Sequence, residues 1–320
     1  MGKRFDVTAL GELLIDFTEY GLSPGGARLF EQNPGGAPAN VLCAVKRLGG
    51  SAAFIGKVGD DMHGCFLRET LEQEGIDASG LAADPAVFTT LAFVGLGAGG
   101  ERSFSFARKP GADTCLRSEE VPETLLRESA IFHVGSLSLT DEPARSATLD
   151  AVTRARKLGV IVSYDPNYRA SLWPDAETAK EQMCTLIPLA DVMKLSDEEA
   201  ELLTGHKDPE RCAQALLVQG PGCVAVTLGS EGALVVTAEG ARRAAPFRVV
   251  AADTTGAGDA FWGAFLSRLS VSGKRPGQLT LEEAHGFARF ANAAASLCVA
   301  RRGAIPAMPA LDEVERRLNA

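Results

Sequence analysis

The stretch Asp253-Thr254-Thr255-Gly256-Ala257-Gly258-Asp259-Ala260-Phe261 decides how the rest of the chain is interpreted. Residues 247–252 before it are apolar and strand-like, and residues 261–269 after it space their apolar side chains as a helix does. The two glycines are therefore predicted to lie at a strand-to-helix turn. Unpaired backbone N–H groups gather there at the positive end of the helix dipole, which suits phosphate oxygens. With only Ala257 between the glycines, no large side chain blocks an anion.

A carboxylate, Asp259, follows the predicted phosphate site directly. Phosphate repels a carboxylate unless the carboxylate has a task, such as accepting the proton of an attacking hydroxyl or arranging a metal and its waters. The stretch therefore predicts phosphoryl transfer to an alcohol. The alternative, a helix-capping acid beside a packing turn, stays open on local pattern alone. Because Asp259 begins a helix, we also expect its pKa to be lowered.

Length, composition and charge limit the class of protein. The chain has 320 residues, 46% of them hydrophobic, which suffices for a sizeable core in one large α/β domain or in one domain with a small satellite. Its net charge is −9, with acids and bases interspersed. A nucleic-acid partner is therefore not expected, because binding to a phosphate backbone requires a basic face.

The cysteines and the apolar runs bear on location. The 7 cysteines are scattered without a C-x-x-C pair, which favours buried thiols in a reducing compartment over disulfides or a zinc site. No apolar run reaches the roughly 18 residues of a membrane span. Residues 1–16 carry Asp6, Glu12 and Asp16, unlike a signal peptide. We therefore expect a cytoplasmic protein without a membrane partner.

Two polar positions near the start of the chain are candidates for binding a small molecule. Asp16 follows a predicted strand, residues 5–9, where one carboxylate can accept from two vicinal hydroxyls or, equally, cap a turn. Gly35-Gly36 precedes a predicted helix and allows a ligand to touch the backbone, and Asn40 offers a donor and an acceptor. An ordinary turn with Pro38 near the helix start is the alternative. Between these positions, residues 20–33 are predicted to be an irregular excursion.

Gly95-Leu96-Gly97-Ala98-Gly99-Gly100 matches the dinucleotide-binding fingerprint G-x-G-x-x-G. That fingerprint must open a helix, whereas residues 101–108 alternate with the period of a strand. We therefore predict a β-hairpin with a glycine-rich tip and no NAD site. Phe104 and Phe106 then share one face, as expected of a lid over a ligand or of a sheet between subunits.

From residue 131 onward, predicted strands and helices alternate. Such alternation implies an α/β fold with a mostly parallel sheet covered on both faces. The carboxyl ends of parallel strands line the ligand crevice of such sheets, which draws attention to Asp165-Pro166-Asn167-Tyr168-Arg169 after one strand and Gly229-Ser230-Glu231-Gly232 after another.

Several of these segments together resemble the ribokinase or PfkB family of carbohydrate kinases, and within it the fructokinases. The resemblance covers nearly the whole chain. It is carried by Gly11-Glu12-Leu13-Leu14-Ile15-Asp16-Phe17, Pro34-Gly35-Gly36-Ala37-Pro38-Ala39-Asn40-Val41, Phe132-His133-Val134-Gly135-Ser136, Asp253-Thr254-Thr255-Gly256-Ala257-Gly258-Asp259 and Arg302-Gly303-Ala304-Ile305-Pro306-Ala307-Met308-Pro309.

The resemblance implies a fold and an activity. The fold is a ribokinase-like, Rossmann-type sandwich in a single domain, residues 1–320, with a small β lid formed by about residues 12–34 and 86–110. The implied activity is ATP-dependent phosphorylation of D-fructose, at O6. The lid strands also present an edge that can pair with a second subunit, so a homodimer through the lid is possible.

Site residues follow from the same resemblance. Asp259 becomes the base for the sugar hydroxyl, the backbone of Gly256, Ala257 and Gly258 becomes the anion hole, and Arg169 neutralises charge during transfer. Sugar contacts are expected from both ends of the chain and from the lid: Asp16, Gly35, Gly36, Asn40, Phe104, Phe106, Arg108, Arg169 and Asp259. ATP contacts are expected from Asn167, Lys194, Thr227, Gly229, Ser230, Gly232, Gly256, Gly258 and Asn292.

Two metal sites are also implied. Glu199 matches the glutamate of an Asn-x-x-Glu motif that organises Mg²⁺ through water, although Ser196 stands at the asparagine position. A monovalent-cation site, for K⁺, would use Asp253 and Thr255. Backbone carbonyls near three further residues would complete it: Cys298, Arg301 and Gly303.

Two other functions remain open. Kinases of the sugar acid 2-keto-3-deoxygluconate belong to the same family, but there the stretch after the glycine pair often reads Ala-Glu-x-Asn, whereas this chain has Ala37-Pro38-Ala39-Asn40. That difference favours a neutral ketose. A catalytically silent regulatory relative is the second alternative. The intact Gly256-Ala257-Gly258-Asp259 speaks against it, because a silent protein has no need for a carboxylate beside an anion site.

Overall fold

The computed structural model describes residues 2–96 and 102–319, and of Leu96 and residues 102–104 only the backbone. Within these ranges the strands, in chain order, are β1 (Phe5–Leu10), β2 (Leu14–Leu22), β3 (Arg28–Gly35), β4 (Ala52–Gly59), β5 (Asp77–Asp84), β6 (Leu91–Leu96), β7 (Arg102–Ala107), β8 (Ser129–Val134), β9 (Ile161–Tyr164), β10 (Val192–Ser196), β11 (Cys223–Thr227), β12 (Ala233–Thr237) and β13 (Gly240–Ala244). The helices are α1 (Ala37–Arg47), α2 (Met62–Gln73), α3 (Glu123–Arg127), α4 (Ala144–Lys157), α5 (Ala176–Cys184), α6 (Asp197–Thr204), α7 (Pro209–Leu217), α8 (Ala257–Ser272), α9 (Leu281–Cys298) and α10 (Leu311–Leu318).

The large sheet has the strand order β13-β12-β11-β10-β9-β8-β1-β4-β5. All neighbours from β11 to β5 pair in parallel, and β12 and β13 extend one edge as antiparallel strands. Parallel strands need crossover connections, and the helices that provide them cover both faces. The predicted α/β sandwich with a mostly parallel sheet is confirmed.

Two hydrophobic cores lie on opposite faces of this sheet. Alternating residues of one strand supply both: Cys223 and Ala225 of β11 belong to the first core, and Val224 and Val226 to the second. The first core is filled by α1, α8 and α9, and the second by α4, α5 and α7. Burial on both faces explains why these strands read as apolar runs in the sequence.

A second, small sheet has the order β3-β2-β6-β7. Its two outer pairs are antiparallel, whereas β2 and β6 pair in parallel. The antiparallel pair β6 and β7 confirms the predicted hairpin; the tip, residues 97–101, lies outside the described residues. Residues 20–33 mostly form strands β2 and β3 around a short turn, so the predicted irregular excursion is wrong.

The strand expected at residues 247–252 is also absent. These residues form an irregular loop, and the Val250 side chain is 91% exposed. The strand before the glycine stretch is β13, which ends at Ala244. The apolar composition of the loop misled the prediction, because apolar residues also occur singly on protein surfaces.

Two further findings concern the whole described chain. All 7 cysteines are free thiols. None of the described helices combines the length and the apolar character that crossing a membrane requires.

Candidate active site

A cleft of about 1110 Å³ separates the carboxyl edge of the large sheet from the small sheet. Residues one to three positions after four parallel strands line it: Glu12 after β1, Asn167 after β9, Asp197 after β10 and Gly229 after β11. The small sheet contributes the opposite wall, with Asp16, Phe106 and others. This is the edge at which open α/β sheets bind ligands.

Helix α8 begins in this cleft without a side-chain cap. Its N-cap is Gly256 at φ 77°, a left-handed conformation that favours glycine, and a Cβ there would lie 2.9 Å from the Ala304 Cβ. Residues 256–258 all line the cleft. The positive end of α8 is thus directed at the space where a ligand would bind, as the sequence predicts.

Asp259, in the first turn of α8, is only 8% exposed and lines the cleft. Its Oδ2 accepts a hydrogen bond of 2.8 Å from Asn40 Nδ2. Burial raises the pKa of Asp259 to about 6, against the opposing effects of Lys194 and the Asn40 hydrogen bond. The expected lowering of this pKa is therefore wrong, because desolvation outweighs the helix dipole.

Buried polar contacts fix α8 to the large sheet. Trp262, three residues after Asp259, is fully buried, and its Nε1 donates to Ser163 Oγ at 2.9 Å. Ser163 Oγ also lies 3.0 Å from His133 Nδ1. Burial lowers the pKa of His133 to about 3, so the ring is neutral at physiological pH and can accept the serine proton. This network holds the helix that carries Asp259 in register with β8 and β9.

Lys194, on β10, brings a positive charge to the start of α8. A Cβ on Gly258 would lie 2.9 Å from Lys194 Nζ, so a larger residue there would displace the ammonium group. Lys194 Nζ also donates to Asp165 Oδ2 at 2.8 Å. Although burial disfavours the charge, the neighbouring carboxylates Asp165, Glu199 and Asp259 raise the pKa of Lys194. The lysine is therefore a permanent cation at this end of the cleft.

Asp16 lies on the cleft side of β2. A Cβ on Gly35 would collide with the Asp16 carboxylate, which explains the glycine opposite it. Burial raises the pKa of Asp16 to about 6, while the nearby Arg169 lowers it. Arg169 is exposed, lines the cleft and also lowers the pKa of Asp259, so its charge acts on both carboxylates.

Glu12 lies beneath the start of α1. Its Oε1 accepts the backbone N–H of Ala37 at 2.9 Å, and the side chain lines the cleft although the residue is only 3% exposed. A Cβ on Gly36, at φ 118°, would collide with the Glu12 carbonyl oxygen. Burial raises the pKa of Glu12 to about 7.

Comparison with known proteins identifies the family to which a chain with this cleft belongs. Residues 4–311 match the pfkB family of carbohydrate kinases. The chain belongs to that family. Among its relatives is the probable fructokinase-4 of Arabidopsis thaliana, 42% identical over 99% of this chain and 98% of the relative.

Solved structures of family members superpose closely on this carbohydrate kinase. The ATP-bound fructokinase of Xylella fastidiosa has a TM-score of 0.90 at 36% identity, covering 98% of each chain. A double-mutant fructokinase of Vibrio cholerae O395, in its fructose-, ADP- and potassium-bound form, has a TM-score of 0.88 at 35% identity, covering 99% of each chain. The protein is therefore a phosphotransferase with a carbohydrate acceptor.

Most of the residues predicted to contact ATP lie together in this kinase. Asn167 is a non-glycine residue at φ 46°, and Gly232 at φ 91° has no room for a Cβ beside the Ala244 carbonyl. Asn292, on α9, donates from Nδ2 to the carbonyls of Ala244 and Ala245, both at 3.0 Å. The predicted ATP contacts that line the cleft are Asn167, Lys194, Thr227, Gly229, Gly232, Gly256, Gly258 and Asn292.

Glu199 is bound to the backbone rather than left free. Its Oε2 accepts from Ser196 N at 2.8 Å and its Oε1 from Tyr168 N at 2.7 Å, while Ser196 Oγ caps Glu199 N at 3.1 Å. Ser196 is thus the N-cap of α6 and part of a capping box. Glu199 still lines the cleft, where each oxygen keeps a lone pair for a water molecule.

The predicted monovalent-cation residues lie around the start of α8, where Asp253, Thr255 and Gly303 line the cleft. Asp253 Oδ1 accepts from Thr255 N at 2.8 Å and from Thr255 Oγ1 at 2.7 Å, and its Oδ2 accepts from Gly303 N at 3.1 Å. Cys298 Sγ lies 3.8 Å from the Thr255 carbonyl, and burial raises its pKa to about 12, which keeps the thiol protonated. The turn before α8 is therefore tied to the turn at residue 303.

Several predicted residues lie elsewhere among the described parts of the chain. Arg108 is buried: its Nε donates to Asp113 at 2.8 Å, and its other nitrogens bond Thr140 Oγ1 at 2.8 Å and the Leu137 carbonyl at 2.9 Å. The Phe104 side chain lies outside the described residues. The predicted residues that are described but do not line the cleft are Gly35, Arg108, Ser230, Cys298 and Arg301.

Two residues were not singled out by sequence reasoning. Glu12 was named only as a charge near the start of the chain and as part of a motif of the family resemblance, and its burial depends on α1 folding over it. Asp165 was seen only as part of a loop, yet it is 2% exposed and binds Lys194 from a neighbouring strand. The position of Asp165 directly after β9 could have identified it from the sequence, because the carboxyl ends of parallel strands line the ligand crevice.

Proposed function

We propose that this carbohydrate kinase transfers the γ-phosphoryl group of ATP to O6 of D-fructose. The observation that carries the proposal is the buried carboxylate of Asp259, which Asn40 holds in place in the first turn of the uncapped helix α8. An acid beside a phosphate site is the arrangement that a hydroxyl acceptor requires. The fructokinases among the relatives support fructose as the sugar.

Asp259 acts as the base in this proposal. A pKa of about 6 leaves the carboxylate largely ionised at pH 7 and makes it a stronger base than an ordinary aspartate. Asn40 occupies Oδ2, and we assign Oδ1 as the oxygen that accepts the proton of the attacking hydroxyl. Asp16 and Gly36 hold the sugar on the side of the small sheet.

The start of α8 and Lys194 stabilise the transferring group. In this proposal the backbone N–H groups of residues 256–258 donate to the oxygens on which negative charge is spread, with the Ala257 N–H shared with the Thr254 carbonyl at 3.3 Å, and Lys194 and Arg169 add positive charge. Of the described charged residues that line the cleft, most are acidic: Glu12, Asp16, Glu31, Asp197, Glu198, Glu199, Asp253 and Asp259. An anionic nucleotide therefore enters with a divalent cation.

The described residues suit Mg²⁺ held through water. The backbone already uses one lone pair on each oxygen of Glu199, so the carboxylate orients metal-bound waters better than it binds the ion directly. Mg²⁺ supplies charge neutralisation on the phosphate oxygens.

K⁺ fits the oxygen-rich turn of Asp253 and Thr255 beside the carbonyls of residues 298–303. The protonated Cys298 offers no thiolate there, which suits a hard cation. The potassium-bound form of the Vibrio cholerae relative supports this assignment.

A coupled assay of ADP release with fructose, 2-keto-3-deoxygluconate and ribose tests the proposal. We expect turnover with fructose, and ³¹P–¹³C coupling in the product should place the phosphate on C6. Preferred turnover of the sugar acid would favour the alternative kinase, a C1 product would overturn the position, and no turnover with any sugar would indicate a silent relative.

We further propose that the small sheet is a lid and a dimer surface. Its strands cover the sugar end of the cleft and also expose large apolar side chains: Tyr20, Leu22, Leu29, Phe30 and Phe93. Phe30 lies on the face of β3 opposite to the cleft-lining Glu31 and Asn33, whereas Leu29 shares their face. Apolar patches of this kind mark interaction sites. Leu22→Lys should convert a dimer to a monomer in sedimentation analysis, and a wild-type monomer at micromolar concentration would refute the surface.

The reducing cytoplasm stays the proposed location. The free state of the 7 thiols supports it, because disulfides are the usual mark of oxidising compartments.

A further inference from the structure

Asp165 is a buried acid that lies next to the candidate active site without forming part of its surface. It directly follows β9, is 2% exposed and is not among the described residues that line the cleft. Its Oδ2 accepts from Lys194 Nζ at 2.8 Å, and its Oδ1 accepts the backbone N–H of Asn167 at 3.2 Å. Because Lys194 and Asn167 both line the cleft, any effect of Asp165 on a substrate passes through these neighbours.

Lys194 lies between two carboxylates. On one side its ammonium is bound to Asp165, and on the other it lies beside Gly258, the residue directly before Asp259. Among the described contacts, Asp165 forms both the hydrogen bond and the ion pair with Nζ, and Asp259 forms neither. A buried ammonium requires a counter-charge. Asp165 therefore provides the charge that Lys194 would otherwise take from another acid.

Two other acids act on Lys194, namely Glu199 and Asp259. Glu199 is held with both oxygens on backbone N–H groups and is therefore fixed in place. Asp259 uses Oδ2 for a side-chain amide, and its Oδ1 receives none of the described hydrogen bonds. Loss of Asp165 would thus bring the ammonium onto Asp259 Oδ1, the oxygen to which we assign the hydroxyl proton.

We infer that Asp165 is a positioning residue that keeps Lys194 hydrogen-bonded to itself and thereby leaves Asp259 Oδ1 free for the sugar hydroxyl. The inference rests on the proposed role of Asp259 as the base, and it adds the group that keeps this base from being neutralised. The charges act in the same sense: Lys194 lowers the pKa of Asp259, whereas Asp165 raises it. An ion pair between Lys194 and Asp259 would make the acid a weaker base.

Asp165→Asn is the decisive variant. The amide keeps the shape and the oxygen that accepts the Asn167 N–H, so the turn after β9 stays formed. It loses the charge that holds the ammonium of Lys194. We expect kcat at saturating ATP and fructose to fall about tenfold, because the base must first leave a charge-assisted hydrogen bond. The acidic limb of the kcat profile should move to lower pH by about half a unit or more.

The direction of this pH shift separates positioning from a purely structural role. The charged groups that act on Asp259 are Lys194, Asp165 and Arg169, and the protonated thiol of Cys298 on α9 lies nearby. Without Asp165 the acid keeps both cations and loses a like charge, so its pKa falls from about 6 and the limb moves to lower pH. A loosened fold lowers kcat without that shift. A limb that stays in place or moves upward in folded Asp165→Asn would overturn the inference.

Asp84→Asn is the matched control. Asp84 ends β5 and makes the same two kinds of contact: its Oδ2 lies 3.0 Å from Nζ of the buried Lys57, and its Oδ1 accepts the Ala86 N–H at 2.9 Å. Neither Asp84 nor Lys57 is among the described residues that line the cleft. We expect kcat to change by less than about twofold and the acidic limb to stay in place. Equal shifts in both variants would overturn the inference, because loss of any buried charge would then explain them.

A comparison of variants that lack the lysine covers the case in which Asp165→Asn alone does not fold. Lys194→Met is compared with the double variant Lys194→Met/Asp165→Asn, which leaves neither charge of the pair buried without its partner. Since no ammonium remains to be held, adding Asp165→Asn should lower kcat by less than about threefold. A further loss of about tenfold would show that Asp165 acts by another route and would overturn the inference.

A crystal structure of Asp165→Asn tests the geometry without turnover. We expect Lys194 Nζ to lie within about 3 Å of Asp259 Oδ1. An ammonium that stays on the side chain at position 165 would overturn the inference. Near-normal kcat in Asp259→Asn would instead refute Asp259 as the base and would leave the position of the ammonium unaffected, so the two failures are distinguishable.

Discussion

Two helices begin at the cleft in the same way and offer opposite surfaces to a ligand. Helices α1 and α8 both start at a glycine of positive φ, 118° at Gly36 and 77° at Gly256, and neither glycine provides a side-chain cap. At α1, Glu12 occupies the first N–H from within the protein. At α8, the adjoining side chain is Lys194, whose ammonium lies beside Gly258.

The difference shows that a glycine-rich helix start does not by itself specify the ligand. The charge next to each helix start comes from a neighbouring strand. Glu12 follows β1 and lies under the start of α1, whereas Lys194 on β10 lies beside the start of α8. One start thereby becomes an acceptor surface suited to hydroxyls, and the other a donor surface suited to phosphate. Three substitutions test this contrast, beginning with the largest expected effect.

Asp259→Asn should lower kcat by about 10²-fold or more, because the amide keeps the shape but cannot take the proton. The same change should raise the melting temperature. The pKa of Asp259 is higher in the folded protein, about 6, than its ordinary 3.8, so stability is lost as the pH rises and the buried acid ionises. Steady-state kinetics and thermal unfolding at pH 8 measure both effects.

Near-normal kcat in this variant would rule out Asp259 as the base. A lower melting temperature would instead show that the carboxylate stabilises the fold, and that its partners outweigh the cost of burying it.

Gly258→Ala should raise KM for ATP about tenfold with a smaller change in KM for fructose. The added Cβ would lie 2.9 Å from Lys194 Nζ and displace the ammonium from the phosphate end. Gly286→Ala on α9 is the control, because nothing lies within 4 Å of its Cβ and the change should slightly stabilise the helix. Equal KM values for ATP in both variants would contradict the role of Lys194.

Asn40→Ala should move the acidic limb of the kcat profile upward by about one pH unit, since a hydrogen bond to a charged acceptor is worth about that much. Asn40 stabilises the ionised form of Asp259, so loss of the hydrogen bond raises the pKa of Asp259 above about 6. As the pH is lowered, the variant should therefore lose activity at a higher pH than the wild type does. Kinetics between pH 5 and about 9 at saturating fructose measure the shift. A limb that does not move would show that Asn40 serves only the sugar.

The large sheet was predictable because each buried strand is a short apolar run between helical patterns. The cleft was predictable at its glycines and at Asp259, whose types and order carry the family resemblance. Glu12 was not, since its role depends on α1 packing over it, which no local pattern encodes. The pKa of Asp259 was predicted with the wrong sign, because the dipole is visible in the sequence whereas desolvation arises from elements far apart in the chain.

Arg108 is the converse case, a residue that was predicted to contact the sugar but does not line the cleft. Its position in the lid hairpin suggested a sugar contact, but Asp113, five residues further on, binds its guanidinium at the base of the small sheet. Which charged side chains pair within a loop depends on the path of the backbone, and the spacing of the residues in the sequence does not reveal that path. The exposed loop at residues 247–252 was mistaken for a strand because composition alone does not report burial.

The bond from Trp262 to Ser163 gives the protein an internal optical probe. The chain has 2 tryptophans, and Trp262 is fully buried on the helix that carries Asp259. With Trp173→Phe, all indole emission would come from that one ring, whose N–H is held by a serine under the active site. A shift of α8 on ligand binding would then change the emission. Intrinsic tryptophan fluorescence would therefore report ligand binding at the phosphate site without an added label.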